Sequence, residues 1–217
     1  MDSKELIARR VAREIRPGSL VNLGIGLPSM VANFVPASAG VFFQAENGVI
    51  GLGARPPEGM EDRHLTDAGG GFVTAVPGAA SIDSAMSFGL IRGGHLDMTV
   101  LGGLQVDEAG HLANWMVPGK MVPGMGGAMD LVTGAARVVV AMQHAARGES
   151  KIVPELTLPL TALRRVDLVV TDLAVIEPMK EGLFLRERAP GVSVDTIVAA
   201  TAARLVITDH VPEMILA

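Results

Sequence analysis

There is no cysteine in these 217 residues. Disulfides, thiolate nucleophiles and thiolate metal sites are therefore excluded. Tyrosine is absent too, tryptophan occurs once, and aromatic residues make up only 3% of the chain. Few rings remain on which bases could stack. The formal net charge of −5 leaves no basic excess to meet a phosphate backbone, so no nucleic-acid partner is expected. No apolar run approaches the ~20 residues of a membrane-spanning helix, and no membrane partner is expected either. The opening stretch MDSKELIARRVAREI lacks the apolar core of a secretory signal, and Asp2 and Glu5 argue against a mitochondrial transit peptide. Together these absences predict a soluble, cytoplasmic protein.

What is present is apolar residues at 49% against 19% charged, the balance of a folded domain rather than a disordered chain. The length suits one domain, 1–217, with a full core, and no linker, repeat or low-complexity tract divides it. Leu6, Ile7, Val11 and Ile15 recur at helical spacing, which predicts a helix over 3–16. Strands are expected at 20–23 and 41–44, with a helix between them from Pro28 and a loop over 51–71. SIDSAMSFGLIR reads as a helix capped by Ser81. LDMTVLGGLQVD gives one strand or two, with HLANWMV as partner across a DEAG turn. GGAMDLVTGA reads as a short helix. RVVVAMQ and VDLVVTDLAVI are continuous β-branched runs, as in strands buried on both faces. GLFLRERA, a helix capped by Ser193, and RLVITD complete the pattern. Strands alternating with helices predict an α/β fold with an open, parallel or mixed sheet layered with helices.

Three glycine-bearing segments carry chemistry. VNLGIGLPSMVANF is a strand, then Gly24 and Gly26, then Pro28 at a first helical position. Such a turn lets a ligand approach the backbone near free N–H groups, but it lacks the full dinucleotide fingerprint and the phosphate-loop lysine. In VFFQAENGVIGLG the apolar run ends in Glu46, followed at once by Asn47 and Gly48. Asn-Gly by itself signals a hairpin, and a glutamate beside one is ordinarily solvated. Partly desolvated and close to oxyanion donors, the same carboxylate is a nucleophile toward an acyl carbon. NWMVPGKMVPGMGGAMD is a long loop in which Gly126, Gly127 and Ala128 lead into a helix and line a narrow slot. Its Met116, Met121, Met125 and Met129 read as fillers of core gaps. The five histidines show no metal-ligand spacing, and no metal is expected. Arg92 and Lys120 are cations able to meet a phosphate, with a solvated face as the default.

These segments, in this order, resemble the B subunit of the family I CoA-transferases, the 3-oxoacid and 3-oxoadipate type. The similarity extends through SFGLIRGGHLD, RVVVAMQH, TLPLT and VDLVVTDLAV, and is most specific from Leu101 to Val132. The resemblance implies an open α/β sheet shared with sugar-phosphate isomerases. It implies Glu46 as covalent nucleophile, and a substrate and CoA site drawn from Gly24, Gly26, Asn47, Gly48, Gly126, Gly127, Ala128 and Lys120. It implies coenzyme A as substrate with no further cofactor, and a homologous A subunit as partner in an A2B2 heterotetramer. The expected reaction moves CoA between an acyl-CoA, such as succinyl-CoA, and a carboxylic or 3-oxo acid, by ping-pong transfer through a glutamyl-CoA thioester. Two other readings stay open: an acyl-CoA hydrolase on the same scaffold, and a non-catalytic module that binds an acyl-CoA. The chain departs from the family in carrying Ala45 where relatives have serine, Gln143 where they often have glutamate, and Leu156 where they have cysteine.

Overall fold

Short aliphatic runs build the centre of the molecule. LVNL forms β1 (Leu20–Leu23), FFQA forms β2 (Phe42–Ala45), MTVL forms β5 (Met98–Leu101), VVVA forms β8 (Val138–Ala141) and LVV forms β12 (Leu168–Val170). The computed structural model, which describes residues 1–119 and 124–217, places these five side by side and parallel in the order β12-β8-β5-β1-β2. Antiparallel strands extend the sheet on one side through β3 (Val49–Leu52) and β4 (Ala75–Ser81), and on the other through β13 (Ala174–Met179) and β14 (Gly182–Arg188). Strand β15 (Leu205–Ile207) closes that side parallel to β14. The open mixed sheet with helices on both faces is the architecture expected from the sequence.

Alternation along the parallel strands feeds two cores. Val139 and Ala141 face one core with Val21, Val100 and Val170, covered by α1 (Ser3–Ala12) and a 3-10 helix (Pro28–Phe34). Val138 and Val140 face the other with Leu101 and Val169, covered by α2 (Ser84–Arg92), α3 (Ala128–Gly134) and α4 (Val194–Ala200). A small sheet of β6 (Gln105–Asp107), β7 (Leu112–Ala113) and β11 (Ile152–Val153) packs into this second core. A two-stranded ribbon, β9 (Ala145–Ala146) with β10 (Glu149–Ser150), lies beside it in sequence.

The structure redraws several expected elements. The helix expected over 3–16 ends at Ala12, and the segment after Pro28 is a 3-10 helix, not an α-helix. Ser81 is the last residue of a strand that the sequence did not announce. AVPGAAS has poor strand propensity and forms only the sheet edge, where its Pro77 is tolerated. The cap of α2 is Asp83, whose carboxylate accepts a hydrogen bond of 2.7 Å from Met86 N–H. VDLVVTDLAVI, expected as one run, is two antiparallel strands that reverse at Thr171 and Asp172. Ser193 does cap α4, accepting from Thr196 N–H at 3.1 Å.

Candidate active site

The carboxyl ends of the parallel strands lie along one edge of the sheet, where open α/β proteins bind ligands. Glu46 is the first residue beyond β2 on that edge, and its side chain is half-buried. Two constraints hold the turn behind it. Gly48 N–H donates to Ala45 carbonyl at 3.0 Å, and Gly48 carbonyl accepts from Ile82 N–H at 2.8 Å. Gly48 has φ of +120°, and a Cβ there would stand 2.1 Å from the Ile82 carbonyl oxygen, so only glycine fits. The Asn-Gly pair is therefore the hairpin its sequence suggests, and it also clamps Glu46 against the segment leading into α2.

Asn47 has a partner within the protein. Its side-chain amide donates to Thr66 carbonyl at 2.8 Å, tying the turn to the loop over 53–74. That loop folds back on itself: Asp67 Oδ1 accepts from Gly69 and Gly71 N–H, both at 2.8 Å. With the end of β1 it encloses a cavity of about 120 Å³, whose walls include Gly24, Gly26, Phe43, Ala45 and Asp67. Ala45 thus faces the cavity, while Glu46, next in the chain, packs toward α2 and α3. Position 45, where the resemblance implies a serine, is thus on the other side of the chain from the Glu46 side chain.

The loop before α3 reaches Glu46 through a missing side chain. A methyl group on Gly127 would stand 3.1 Å from Glu46 Cγ and 3.4 Å from the Phe88 ring. Gly127 is buried, while Gly126, with φ of +56°, is exposed. Ala128 opens α3, and its N–H makes a long 3.4 Å contact with Met125 carbonyl. Gly24 lies level with Glu46 on the adjacent strand end, since Asn22 pairs with Gln44 in register. Gly26, with φ of +85°, has open space about it. The structure therefore brings Glu46, Asn47, Gly48 and Gly127 together, with Gly24 and Gly26 on the neighbouring loop. Lys120 lies outside the described residues.

Other candidates resolve into structural roles. Arg92 forms an ion pair with Asp130 at 2.7 Å that ties α2 to α3. Asp97 accepts from Leu20 N–H at 2.7 Å. His111 pairs with Asp107 at 3.3 Å, a carboxylate partner four residues away that the sequence reading passed over. Met129 is 48% exposed and fills no core gap, and Met121 lies outside the described residues. The sequence reading also missed Phe88 and a set of buried polar side chains under Glu46: Asn22, Gln44, Ser87 and Thr99. The available signal was a polar residue interrupting each of the runs LVNL, FFQA and MTVL.

A family model for coenzyme A transferases matches residues 4–200. The chain belongs to the coenzyme A transferase family. Among its relatives, the acetate CoA-transferase subunit beta of Haemophilus influenzae is 53% identical over 215 residues, covering 99% of this chain and 96% of the relative. That of Escherichia coli K12 is 55% identical over 205 residues, 94% of each chain. The fold matches an acyl-CoA transferase of Escherichia coli O157:H7 at a TM-score of 0.79 and 24% identity, over 99% of this chain but 43% of that one. The chain thus spans nearly the whole of these bacterial beta subunits and under half of the longer transferase. Among the described residues of this family member, no helix is long and apolar enough to cross a membrane.

Proposed function

We propose that this chain is the catalytic B subunit of a CoA-transferase and that Glu46 is its covalent nucleophile. The observation that carries this reading is the packing of Glu46. A half-buried carboxylate stands at the carboxyl edge of the sheet, clamped from behind by Gly48 and bordered on one side by a buried glycine, Gly127, whose missing side chain leaves it room. A solvated hairpin glutamate needs none of this.

The chemistry runs in two half-reactions. The Glu46 carboxylate attacks the thioester carbonyl of an acyl-CoA, and the C–S bond breaks. The products are an acyl-glutamyl anhydride and CoA thiolate. The thiolate then attacks Cδ of Glu46, releasing the donor carboxylate and leaving a glutamyl-CoA thioester. An acceptor acid attacks Cδ in turn, and the same steps run in reverse to give the new acyl-CoA and free Glu46. A carboxylate is a weak nucleophile in water, so binding energy from the CoA tail must hold it against the thioester in a site that excludes water. Small residues at 126, 127 and 128 put no bulky side chain between the backbone there and that thioester. The acids exchanged are carboxylic or 3-oxo acids, with coenzyme A as the carried group.

A homologous A subunit completes this site. Three large apolar side chains are left exposed on segments bordering Glu46: Ile25 at 69%, Met86 at 56% and Met129 at 48%. Exposed apolar side chains of this size are suited to burial by a partner chain. The test is Glu46→Gln, assayed with the partner subunit. Turnover should fall by at least ~10³-fold while the circular dichroism spectrum is unchanged. Ordinary turnover by the variant would refute the nucleophile. With the acceptor acid omitted, the wild-type enzyme should release about one donor acid per site, hold the CoA on Glu46 and stop; sustained release of free CoA would instead make it a hydrolase.

A further inference from the structure

Parallel strands buried on both faces are ordinarily apolar throughout. Here three neighbouring central strands each carry a polar residue at the same level. Asn22 of β1 pairs in register with Gln44 of β2 on one side and with Thr99 of β5 on the other. All three are 0% exposed, and so is Ser87 of α2. Their side chains form one connected network. Thr99 Oγ1 donates to Asn22 Oδ1 at 3.1 Å. Asn22 Nδ2 donates to Gln44 Oε1 at 2.8 Å and to Gln44 carbonyl at 3.1 Å. Gln44 Nε2 donates to Ser87 Oγ at 2.8 Å. Among the described residues no buried side-chain polar atom lacks a partner.

The network lies under the nucleophile. Gln44 precedes Glu46 by two residues, so both side chains leave the strand on the side of α2. Ser87 precedes Phe88, whose ring flanks the same Gly127 that borders Glu46. An apolar set of equal volume would fill the space, but it would let α2 slide or rotate on the strands. Hydrogen bonds between fixed partners do not, because a shift leaves buried donors and acceptors unpaired, and an unpaired buried polar group is costly.

We infer that Asn22, Gln44, Thr99 and Ser87 are positioning residues for the transfer reaction, a buried frame that fixes Phe88 and Gly127 against Glu46. The inference rests on Glu46 being the nucleophile. The variants to make are Ser87→Ala and Thr99→Val, which remove one bond each at small change in volume, with Thr99→Ser as the conservative control. Each is combined with the partner subunit and measured for kcat, KM for acyl-CoA, thermal midpoint, and the rate of glutamyl-CoA formation at Glu46, followed by borohydride reduction and mass spectrometry. Ser87→Ala and Thr99→Val should lower kcat and the rate of adduct formation together, on the order of 10-fold or more, with KM changed less than about twofold. Thr99→Ser should restore most of the rate. Adduct formation and kcat at wild-type rates in both variants, whatever the thermal midpoint, would overturn the inference and leave Glu46 as nucleophile. Failure of the wild-type enzyme to form the adduct at all would overturn the nucleophile, and the positioning role with it.

Discussion

Gly127 has φ of −83° and ψ of 3°, a conformation open to any residue, so its lack of a side chain matters for space alone. That separates it from Gly48, where φ and contact with Ile82 both demand glycine. Gly127→Ala places a methyl 3.1 Å from Glu46 Cγ, tighter than a relaxed contact, with Phe88 closing the retreat on the other side. The Glu46 side chain must give way. The displacement needed is a few tenths of an ångström, and a misplacement of about 1 Å at a reacting group costs about 10²-fold, so we expect kcat to fall on the order of 10-fold with little loss of thermal stability. Steady-state kinetics beside a melting curve checks it, and an unchanged kcat would show that Gly127 does not touch the working conformation. At this scale the sequence is informative where backbone geometry is at stake. Asn47-Gly48 reads as a turn by its residue types. That Asn47 donates to Thr66, nineteen residues away, is a tertiary fact with no local signature.

Among the elements, the ends of β8 and β12 and the last turn of α4 meet at one side chain. His144 is 1% exposed, with Nδ1 3.0 Å from Thr171 Oγ1 and Nε2 2.9 Å from Thr201 Oγ1. Its backbone N–H donates to Asp172 at 2.7 Å. Burial pushes the imidazole below its ordinary value, against the pull of the Asp172 carboxylate. Lys151, whose ammonium bonds the Gly103 carbonyl, is likewise lowered by burial and opposed by Asp172. The folded state resists protonating His144, whereas the unfolded chain takes up that proton near pH 6.5. Stability should therefore fall as pH drops below about 6.5 and level off beneath the depressed folded value. Melting curves from about pH 7.5 to about pH 5 should show this fall, and His144→Gln should show a flatter one from a lower starting midpoint. Equal slopes in the two proteins would contradict the assignment. The elements themselves were legible wherever the pattern was strong. MTVL, VVVA and LVV are strands because β-branched and aliphatic residues fill both faces of the sheet. AVPGAAS escaped because an edge strand needs only backbone pairing, and its composition resembles a loop. The reversal at Thr171 was hidden inside a run apolar on both sides.

At the scale of the whole molecule, the sheet order explains how residues 22, 44, 46, 87, 99 and 127 come to lie together. Strands β1, β2 and β5 are neighbours, and the α2–α3 pair lies across them, tied by Arg92 and Asp130. The sequence separates Glu46 from Gly127 by a long stretch of chain, and periodicity alone does not bring them together. The resemblance in the glycine segments did, because it extends over nearly the whole chain. The frame of polar residues under Glu46 left only a faint trace, one polar letter in each of three apolar runs. The face that would meet a partner subunit left none, since exposed Ile25, Met86 and Met129 look like core residues in a helix-strand pattern.

In the proposed reaction Glu46 carries CoA covalently. The most direct test mixes the chain and its partner subunit with succinyl-CoA or acetoacetyl-CoA, reduces with borohydride, and maps the peptides by mass spectrometry. The expected product is a Glu46 side chain reduced at Cδ to the alcohol, dependent on the acyl-CoA and absent from Glu46→Gln. An unmodified Glu46 peptide under turnover conditions, with either donor, would contradict it.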